Sequence, residues 1–547
     1  MKLNTFYDNF NVLAEAPNGI KKLRELILQL AVQGKLVSQN PNDKPASVLL
    51  EKIKKEKEKL IEEGKIKKPK PLPAIDFDEV PFKVPEGWES AYLGNISMKI
   101  TDGEHLTPER ASHGYYLLSA RNVRNEGISL EKVDYVPKEE FLRLRKRCDP
   151  NKNDLLISCS GSVGRVSIVD EDNKYVMVRS AALIKPFHSY MLNIFIAYAL
   201  RSPFLQNQIK EMSRQVAQAN LFLGKINQLK IIVPPLAEQK RIVTKVDQLM
   251  ALCGELEDQQ NKKQETCIQL NSSSIDKLLK SETSEELLDN WQCIYDNFNL
   301  LYDHPENVSK LREAILQLAV KGKLVRQDPN DEPASVLLQR ITSEKYQFVK
   351  EGKIKKQKPF PEITDEEKPF EMPHFWEPVR LQQIIQISSG NGLTAANMNS
   401  EGVVPVFGGN GITGYHDKGN VFKPTLVIGR VGYYCGSIHL SPESAWVTDN
   451  AFVTTFSENN IYIIFLYWLL KGTNLKENEN ATAQPVISGR KLYPIIVGLP
   501  PKAEQHRIVA KVDKLMAMCD ELEAKLKESH SDSEKLVAAT VTHLLAS

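Results

Sequence analysis

The sequence lacks any long apolar run. No stretch of roughly 18 or more uncharged hydrophobic residues occurs in it, and its opening residues lack the apolar core of a secretory signal. We therefore expect a cytoplasmic protein without a membrane partner. Cysteine is scarce as well: the seven cysteines are scattered, with no Cys-x-x-Cys pair and no histidine cluster at metal-ligand spacing. This spacing predicts free thiols and no metal site.

An excess of positive charge is also missing. The formal net charge is +2, whereas many small DNA-binding domains are strongly basic. Charge alone therefore does not indicate a nucleic-acid partner. A DNA-binding surface on this chain has to come from local asymmetry of charge.

Motifs for self-contained catalysis are absent. A nucleotide-driven enzyme needs Gly-x-x-x-x-Gly-Lys followed by Ser or Thr, because backbone amides, a lysine and a hydroxyl converge on phosphates and magnesium. The Gly-Lys pairs here are followed by Leu or Ile. Asn40-Pro41 and Asp328-Pro329 lack the second proline of an amino-methyltransferase loop, and no convincing set of carboxylates with a lysine indicates a nuclease. The sequence predicts no catalytic residues and no enzyme activity of its own.

The sequence does contain an internal repeat. Residues 27 to 53, ILQLAVQGKLVSQNPNDKPASVLLEKI, recur at 315 to 341 as ILQLAVKGKLVRQDPNDEPASVLLQRI, with 21 of 27 positions identical. The segment EGKIKKPKPLP from Glu63 likewise recurs as EGKIKKQKPFP from Glu351. A repeat of this length and identity indicates an internal duplication.

A second block repeats in a different register. EQKRIVTKVDQLMALCGELE from Glu238 recurs as EQHRIVAKVDKLMAMCDELE from Glu504, with 15 of 20 positions identical. Between the two kinds of block lie segments of 153 and 131 residues that scarcely resemble each other. We expect these variable segments to share a fold but not a surface.

The chain therefore divides into alternating constant and variable parts. They are a helical arm at 1–80, a variable domain at 81–233, a central helix at 234–288, a second arm at 289–368, a second variable domain at 369–499 and a C-terminal helix at 500–547. Two near-identical scaffolds that present different domains indicate two different targets held by one framework. The duplication also implies a pseudo-two-fold arrangement, in which the same partner docks twice.

The second block has apolar residues at helical spacing. They are Ile242, Val246, Leu249, Met250, Cys253 and Leu256, repeated by Ile508, Val512, Leu515, Met516, Cys519 and Leu522. One interpretation is ordinary core packing. Because the two stripes have matching registers, we favour two long helices that pack on each other, antiparallel, as a coiled-coil spacer between the variable domains.

The arm predicts a helix from about Ile20 to Val32 and a second beginning at Ala46. The run of Lys and Glu from Glu51 to Lys70 is either a solvated helix with pairs four residues apart or a contact for DNA phosphates. Its mixed signs favour the solvated helix. The prolines from Pro69 onward are expected to end it.

Both variable segments alternate short β-rich runs with turns and carry a helical stretch near their ends, Ile194 to Leu200 and Ile461 to Leu470. This pattern is typical of a mixed α/β or α+β domain. The predicted fold class is therefore α+β, with two variable domains separated by long helices and related by the internal repeat.

A short signature stands at the exit of each variable domain. Pro-Pro-x-x-Glu-Gln occurs at Pro234 to Gln239 and again at Pro500 to Gln505, each followed by an amphipathic helix, with ILQLAVQGKLV upstream. Over nearly the whole chain this arrangement resembles the specificity (S) subunit of type I restriction-modification systems. The substantial arm before the first variable domain differs from the shorter family members, which begin almost at a recognition domain.

The resemblance implies that the variable segments are target recognition domains, each reading one half of a split, asymmetric site in double-stranded DNA, with the paired helices setting the spacing. It implies two methyltransferase (M) subunits that modify adenine N6 with bound S-adenosylmethionine. It also implies restriction (R) motor-nuclease subunits that use ATP and Mg²⁺. No cofactor is expected on this chain. The expected partner-binding scaffold residues are Pro235, Glu238, Gln239, Pro501, Glu504 and Gln505.

Base reading requires exposed side chains with paired donors and acceptors, above all Arg for guanine and Asn or Gln for adenine. In the first variable domain the candidates are Thr101, Asp102, Gly103, Glu104, His105, Arg121, Asn122, Arg124, Ser158, Ser160, Ser162, Arg165 and Gln218. In the second they are Ser388, Ser389, Asn391, Asn410, Arg430, Tyr433, Asn450 and Gln484.

A hypothesis from another class stays open at this point. The chain is alternatively a duplicated coiled-coil interaction scaffold whose variable domains bind proteins rather than DNA. A salt-dependent affinity for DNA separates the two hypotheses, because contacts to phosphate release counterions and protein contacts need not.

Overall fold

A computed structural model of the chain describes residues 10–68, 71–72, 80–213, 219–281, 283–302, 305–352, 354, 356–432, 434–476 and 486–546. These residues form a mixed helix-and-sheet fold, which confirms the predicted class. They divide into two compact units. The first unit comprises the described residues up to Lys262 together with those from His530 onward, and the second comprises Lys263 to Ser529.

The first half of the chain contains an arm, a variable domain and a long helix. The arm helices are α1 (Phe10–Glu15), α2 (Gly19–Val32) and α3 (Ala46–Glu62). The elements that follow are β1 (Glu89–Tyr92), β2 (Ser97–Asp102), β3 (Tyr115–Leu118), β4 (Val123–Arg124), β5 (Gly127–Ile128), β6 (Asp134–Val136), α4 (Lys138–Arg145), β7 (Leu155–Ser158), β8 (Val166–Ile168), β9 (Tyr175–Met177), β10 (Ala181–Pro186), α5 (Asn193–Arg201), α6 (Pro203–Ser213), α7 (Leu223–Asn227), β11 (Lys230–Val233) and the long helix α8 (Leu236–Lys280).

Within the described residues, the second half repeats the order of arm, variable domain and long helix, with one additional helix, Ser284–Asp296, before the arm. Its helices up to the variable domain are α9 (Ser284–Asp296), α10 (Phe298–Leu301), α11 (Pro305–Val320) and α12 (Ala334–Lys350). The elements that follow are β12 (Glu377–Arg380), α13 (Leu381–Ile384), β13 (Ile385–Ser389), β14 (Val404–Gly408), β15 (Gly411–His416), β16 (Leu426–Gly429), β17 (Ile438–Leu440), β18 (Trp446–Val447), β19 (Ala451–Phe456), α14 (Ile463–Gly472), α15 (Gly489–Leu492), β20 (Ile496–Leu499) and the long helix α16 (Lys502–Ala546).

The two variable domains have the same sheet topology. In the first, an antiparallel sheet has the order β2-β10-β7-β8, and a second sheet, β6-β3-β9, contains one parallel pair. In the second, the corresponding orders are β13-β19-β16-β17 and β15-β14-β18, again with one parallel pair. The strand that enters each domain pairs with the strand that leaves it, β1 with β11 and β12 with β20. Two segments with little sequence similarity therefore share one fold.

Ion pairs fasten each arm to a long helix at equivalent positions of the repeat. The four pairs are Arg24–Glu257 (2.7 Å), Arg241–Asp43 (2.7 Å), Arg312–Glu523 (3.0 Å) and Arg507–Asp331 (2.6 Å). The Asp43 and Asp331 side chains are only 10% and 8% exposed. Burial strengthens these two pairs relative to ordinary surface pairs, which contribute little. The arms are thus fixed parts of their units.

The first parts of the two long helices lie in the cores of their own units. Ile242 and Val246 lie in the core of the first unit with arm residues such as Leu26, whereas Ile508 and Val512 lie in the core of the second. Each stripe shares a hydrophobic core with its own copy of the arm.

Each long helix nevertheless contributes to both units. Helix α8 belongs to the first unit up to Lys262 and to the second from Lys263, whereas α16 belongs to the second up to Ser529 and to the first from His530. Val537 of α16 is 2% exposed and lies in the core of the first unit. The opposite order along the two helices agrees with the predicted antiparallel direction.

All seven cysteines are free thiols, as their spacing predicted; Cys293 is exposed and the others are buried.

Helix α3 ends at Glu62, before the prolines that were expected to end it. Among the described residues, no helix is long and apolar enough to cross a membrane.

Candidate functional site

The Pro-Pro-x-x-Glu-Gln signature is buried where each variable domain joins its long helix. The Glu238 side chain accepts a hydrogen bond from Trp88 Nε1 at 2.9 Å, and Glu238 is 2% exposed. Gln239 is fully buried, accepts from the backbone amide of Leu192 at 3.0 Å and donates to the carbonyl of Pro234 at 3.0 Å. The signature therefore ties the exit of the domain to its entry.

The second copy of the signature repeats the glutamine contacts. Gln505 accepts from the amide of Tyr462 at 2.8 Å and donates to the carbonyl of Pro500 at 3.2 Å. Glu504 is 1% exposed, and its pKa is raised by burial and partly lowered again by Trp376. The expectation that Glu238, Gln239, Glu504 and Gln505 form a partner-binding surface is corrected, because these side chains are used inside the chain. Pro235 and Pro501 are buried at the same junctions.

In the first variable domain, one candidate group lies where β2 ends. Asp102 faces His105, with Oδ2 2.8 Å from Nε2, and accepts from Arg147 at 2.6 Å. Both His105 and Arg147 are about half exposed, whereas the Asp102 side chain is 15% exposed. Thr101 is half-buried on the same strand. The carboxylate therefore orients two exposed groups that face solvent.

The next residue of this loop, Glu104, is a positioning group. It accepts from the amides of His105 and Leu106 at 2.8 and 3.1 Å and from Arg143 at 3.0 Å. These amide bonds, led by that of Leu106, and the charge of Arg143 lower the pKa of Glu104. The loop that carries His105 is thereby held in one conformation.

Gly103 is required at this strand end for a steric reason. A Cβ added to it would lie 2.1 Å from the carbonyl oxygen of Met177 on β9. Gly390 occupies the same place in the second domain, with a Cβ only 2.2 Å from the carbonyl oxygen of Val447 on β18. The two sheets of each domain meet here, so the loops after β2 and β13 have equivalent positions.

A second group in the first domain is basic. Arg124 is exposed on β4, whereas Arg165, in the turn between β7 and β8, is half-buried. Burial lowers the pKa of Arg165, and the neighbouring charge of Arg124 lowers it further. The Nη1 atom of Arg165 is buried without a hydrogen-bond partner within the described residues. Ser160 is half-buried in the same turn, and its backbone forms an isolated antiparallel β-bridge with Asn220.

Other candidates of the first domain have structural roles. Asn122 is fully buried, accepts from the amide of Ser119 at 2.9 Å and donates to the carbonyl of Ser129 at 2.9 Å. It caps a short 3-10 turn and is not available to a ligand, which corrects its selection as a contact. Ser158 is also fully buried and bonds to the carbonyl of Ser162. Arg121 is half exposed but paired with Asp134 at 2.8 Å.

In the second domain the structure brings several candidates together at the end of the sheet. Arg430 Nη1 lies 3.4 Å from Ser389 Oγ and 3.4 Å from the carbonyl of Asp449, and the amide of Arg430 donates to the carbonyl of Asn450. Ser388, Ser389 and Asn450 are exposed. Asn391 is exposed too, and its carbonyl accepts from Trp446 Nε1 at 3.1 Å.

One candidate of the second domain lies apart from this group. Asn410 is exposed in the tight turn between β14 and β15. Gln218, Tyr433 and Gln484 lie outside the described residues.

Sequence reasoning missed the arginines that complete the group at the end of β2. Arg143 and Arg147 come from α4 and the turn after it, about 40 residues along the chain. Arg179 is exposed two residues before β10, and its backbone amide donates to the carbonyl of Glu104 at 3.0 Å. No local pattern links these residues to Asp102, because the sheet order that brings them together is a property of the fold.

Three comparisons place the chain among known proteins. A family model described as the type I restriction modification DNA specificity domain matches residues 85–265 and 373–529. The specificity subunit of the type I restriction enzyme EcoAI from Escherichia coli is 33% identical over 552 residues, covering 93% of this chain and 91% of that protein. The EcoEI specificity subunit from Escherichia coli is 32% identical over 562 residues, covering 95% and 93%.

Solved structures give more distant similarities. The HsdS subunit from Thermoanaerobacter tengcongensis aligns with a TM-score of 0.41 and 16% identity, covering 85% of this chain and 98% of that one. A chain from a study of complex assembly and conformational transition of the type I R-M system aligns with a TM-score of 0.49 and 17% identity, covering 85% and 99%.

Proposed function

The chain belongs to the family of type I restriction-modification specificity subunits, and we propose that its two variable domains each read one half of a bipartite DNA site. In this proposal the chain positions methyltransferase subunits over an adenine in each half-site, together with restriction subunits where these are present. It contributes recognition and no catalysis. S-adenosylmethionine, ATP and Mg²⁺ bind to the partner subunits, and the assembly works in the bacterial cytoplasm.

The observation that carries the proposal is the pair of equivalent strand ends with different chemistry. After β2 the first domain presents His105, with Arg147 beside it, whereas after β13 the second presents Ser389 and Asn391, with Arg430 beside them. Arg and Asn side chains are the strongest direct readers of guanine and adenine. One fold with two different sets of donors and acceptors is suited to reading two different half-sites.

The buried signature supports a modular arrangement. Each domain enters and leaves its scaffold through one small sheet, β1 with β11 or β12 with β20, and the same Gln contacts close both junctions. The amino-acid sequence of the exposed loops can therefore differ while the scaffold keeps its structure. The alternative of a scaffold that binds only proteins is not favoured by the relatives.

A domain exchange tests the proposal. Residues 81–233 are replaced by the corresponding domain of another family member, and methylated adenines are mapped by sequencing in cells that carry the cognate methyltransferase subunit. We expect one half of a split target motif to change and the other half to stay the same. The reciprocal exchange of residues 369–499 is the matched control, and it is expected to change only the other half.

Two outcomes would contradict the proposal. If the methylated sequence motif is the same before and after both exchanges, sequence recognition does not reside in these domains. If either exchange alters both halves of the motif, the domains do not read separate half-sites.

A further inference from the structure

Each arm carries exposed lysines in the segment after its last helix, α3 or α12, and Lys68 and Lys356 are equivalent positions of the repeat. We infer that these basic segments, defined by the exposed residues Lys67 and Lys68 after α3 and Lys356 and Lys358 after α12, bind DNA phosphates outside the two recognition domains. The inference rests on the proposed function, since it assigns a second contact to the same DNA.

Retention of charge between the two copies of the arm is the first line of support. At three exposed positions of the helices the charge is lost, since Lys54, Lys55 and Lys59 of α3 correspond to Thr342, Ser343 and Gln347 of α12; a fourth exposed lysine, Lys52, keeps its charge as Arg340. Directly after the helices the sequence EGKIKK is identical in both copies. A merely solvated surface would be expected to diverge at the same rate in both places.

The second line of support is a shared backbone geometry that directs the segments. Both helices end at a glycine with positive φ, Gly64 at +68° and Gly352 at +69°, a conformation that glycine adopts without strain. After Gly64 the amides of Lys65 and Ile66 donate to the carbonyl of Leu60 at 2.9 and 3.2 Å. The chain therefore leaves the two helices in the same direction.

Half-buried lysines hold the C-terminal turns of both helices against the recognition domains. Lys57 Nζ donates to the carbonyls of Gly94 and Ser97 at 2.5 and 3.0 Å, at the start of β2. Lys345 is its repeat equivalent and donates to the carbonyl of Gln382, just before β13. Each basic segment is thus placed within its unit beside the domain that reads DNA.

In the second arm the backbone of the segment is also fixed. Gln382 Nε2 donates to the carbonyl of Lys358 at 3.0 Å, and the guanidinium of Arg380 lies over the Phe360 ring at 5.5 Å. The side chain of Lys358 remains exposed. The segment therefore presents its lysines from a fixed position, and within the described residues Lys67, Lys68, Lys356 and Lys358 form no ion pair.

A polyanion matches this arrangement better than a single anion does. The lysines occur as separate point charges in segments that continue into prolines, Pro69 in the first arm and Pro359 in the second. Lysine contributes to phosphate binding as a point charge without base specificity. Contacts of this kind strengthen binding to all sequences equally and leave recognition to the domains.

The test measures DNA affinity against salt concentration for the full chain assembled with its methyltransferase subunits. The variant carries Lys67→Gln, Lys68→Gln, Lys356→Gln and Lys358→Gln. The matched control removes the same charge from exposed lysines of the first arm, with Lys44→Gln, Lys52→Gln, Lys54→Gln and Lys59→Gln. Two duplexes of equal length are compared, one with the mapped target motif and one with that motif scrambled.

Between about 50 and 200 mM salt, we expect the slope of log affinity against log salt to become shallower by roughly two to four units in the variant. Affinity falls by the same factor for both duplexes, so the preference for the target is retained. The control variant keeps the slope of the unaltered chain.

Three results would overturn the inference. The first is a slope that does not differ between variant and control. The second is loss of assembly with the methyltransferase subunits without a change in slope, which would make the segments a protein-docking surface. The third is an unaltered chain without any preference for the target duplex; this would refute the proposed function itself, and the inference would fall with it.

Discussion

The guanidinium of Arg430 lies over the ring of Phe452, 5.4 Å from its centroid, at the end of the sheet in the second recognition domain. Cation–π stacking fixes the plane of the guanidinium without using its donors. The Nε atom of Arg430 is buried and has no hydrogen-bond partner among the described residues, and the two Nη1 contacts are long, at 3.4 Å. An arginine that reads a base needs N–H donors that are held in a fixed orientation and are not already engaged in strong hydrogen bonds.

Substitution Arg430→Lys keeps the charge but removes the planar fork. We expect target binding to weaken by about 1–3 kcal/mol, the usual contribution of a bidentate contact to base discrimination. The loss should be confined to the half-site of the second domain, measured by competition with duplexes mutated in one half or the other. Arg326→Lys, at an exposed position in the arm, is the control. Equal loss of discrimination in both halves would contradict this role.

Substitution Gly103→Ala introduces a Cβ that would lie 2.1 Å from a backbone carbonyl oxygen, so the two sheets have to separate. Overpacking of this kind costs about 1–3 kcal/mol. We expect a lower unfolding midpoint and loss of recognition at the first half-site. Gly224→Ala is the matched control in the same domain, because no atom lies within 4 Å of its added Cβ. A Gly103→Ala protein as stable as the control would show that the strand ends are not tightly apposed.

Burial raises the pKa of Glu238, while the hydrogen bond from Trp88 partly opposes the shift. A carboxyl group with a raised folded-state pKa binds more protons in the folded state than in the unfolded state. Its contribution to stability is therefore greatest below the ordinary value of 4.5 and is lost as pH rises through the folded-state pKa.

Substitution Glu238→Gln should remove this pH dependence. We expect the difference in unfolding midpoint between the variant and the unaltered chain to grow in favour of the variant as pH rises above 4.5. Trp88→Phe should steepen the dependence, because the carboxylate loses its donor. A difference that does not change with pH would mean that Glu238 titrates normally in the folded chain.

Burial lowers the pKa of Lys57 to about 8 from an ordinary value of 10.5. Between these values the unfolded chain binds more protons than the folded chain, so stability increases as pH rises from about 8 to 10.5. Lys57→Gln should abolish this rise, which amounts to at most about 3 kcal/mol. Unfolding midpoints at a series of alkaline pH values measure it, with the exposed Lys54→Gln as control. A rise that persists in Lys57→Gln would assign it to other groups.

The constant parts of the chain could be predicted well because their patterns are local. The arm helix expected from Ile20 to Val32 spans Gly19 to Val32. The helical stretches near the ends of the two domains were also confirmed. Apolar spacing and turn residues specify such elements without reference to the rest of the fold.

The recognition surface was less accessible to sequence reasoning. Asn122 has the chemistry of a base reader but caps a turn inside the domain, and Glu238 looks like a surface carboxylate but is buried beneath Trp88. Arg147 joins Asp102 only because the fold brings these segments together. Residue type indicates what a side chain can bind, whereas strand order decides whether it reaches solvent.

The sharing of α16 between the two units also affects the timing of folding. Val537 completes the core of the first unit, although nearly all of that unit has been synthesised by residue 262. At translation rates of about 5–20 residues per second, the nascent first unit waits on the order of tens of seconds for its last helix. During this interval the apolar surface that Val537 later covers is exposed to solvent while the chain is on the ribosome. In a chain that terminates early, that surface stays exposed permanently. Premature termination anywhere before His530 is therefore expected to yield a substrate for chaperones and proteases rather than a usable half-protein.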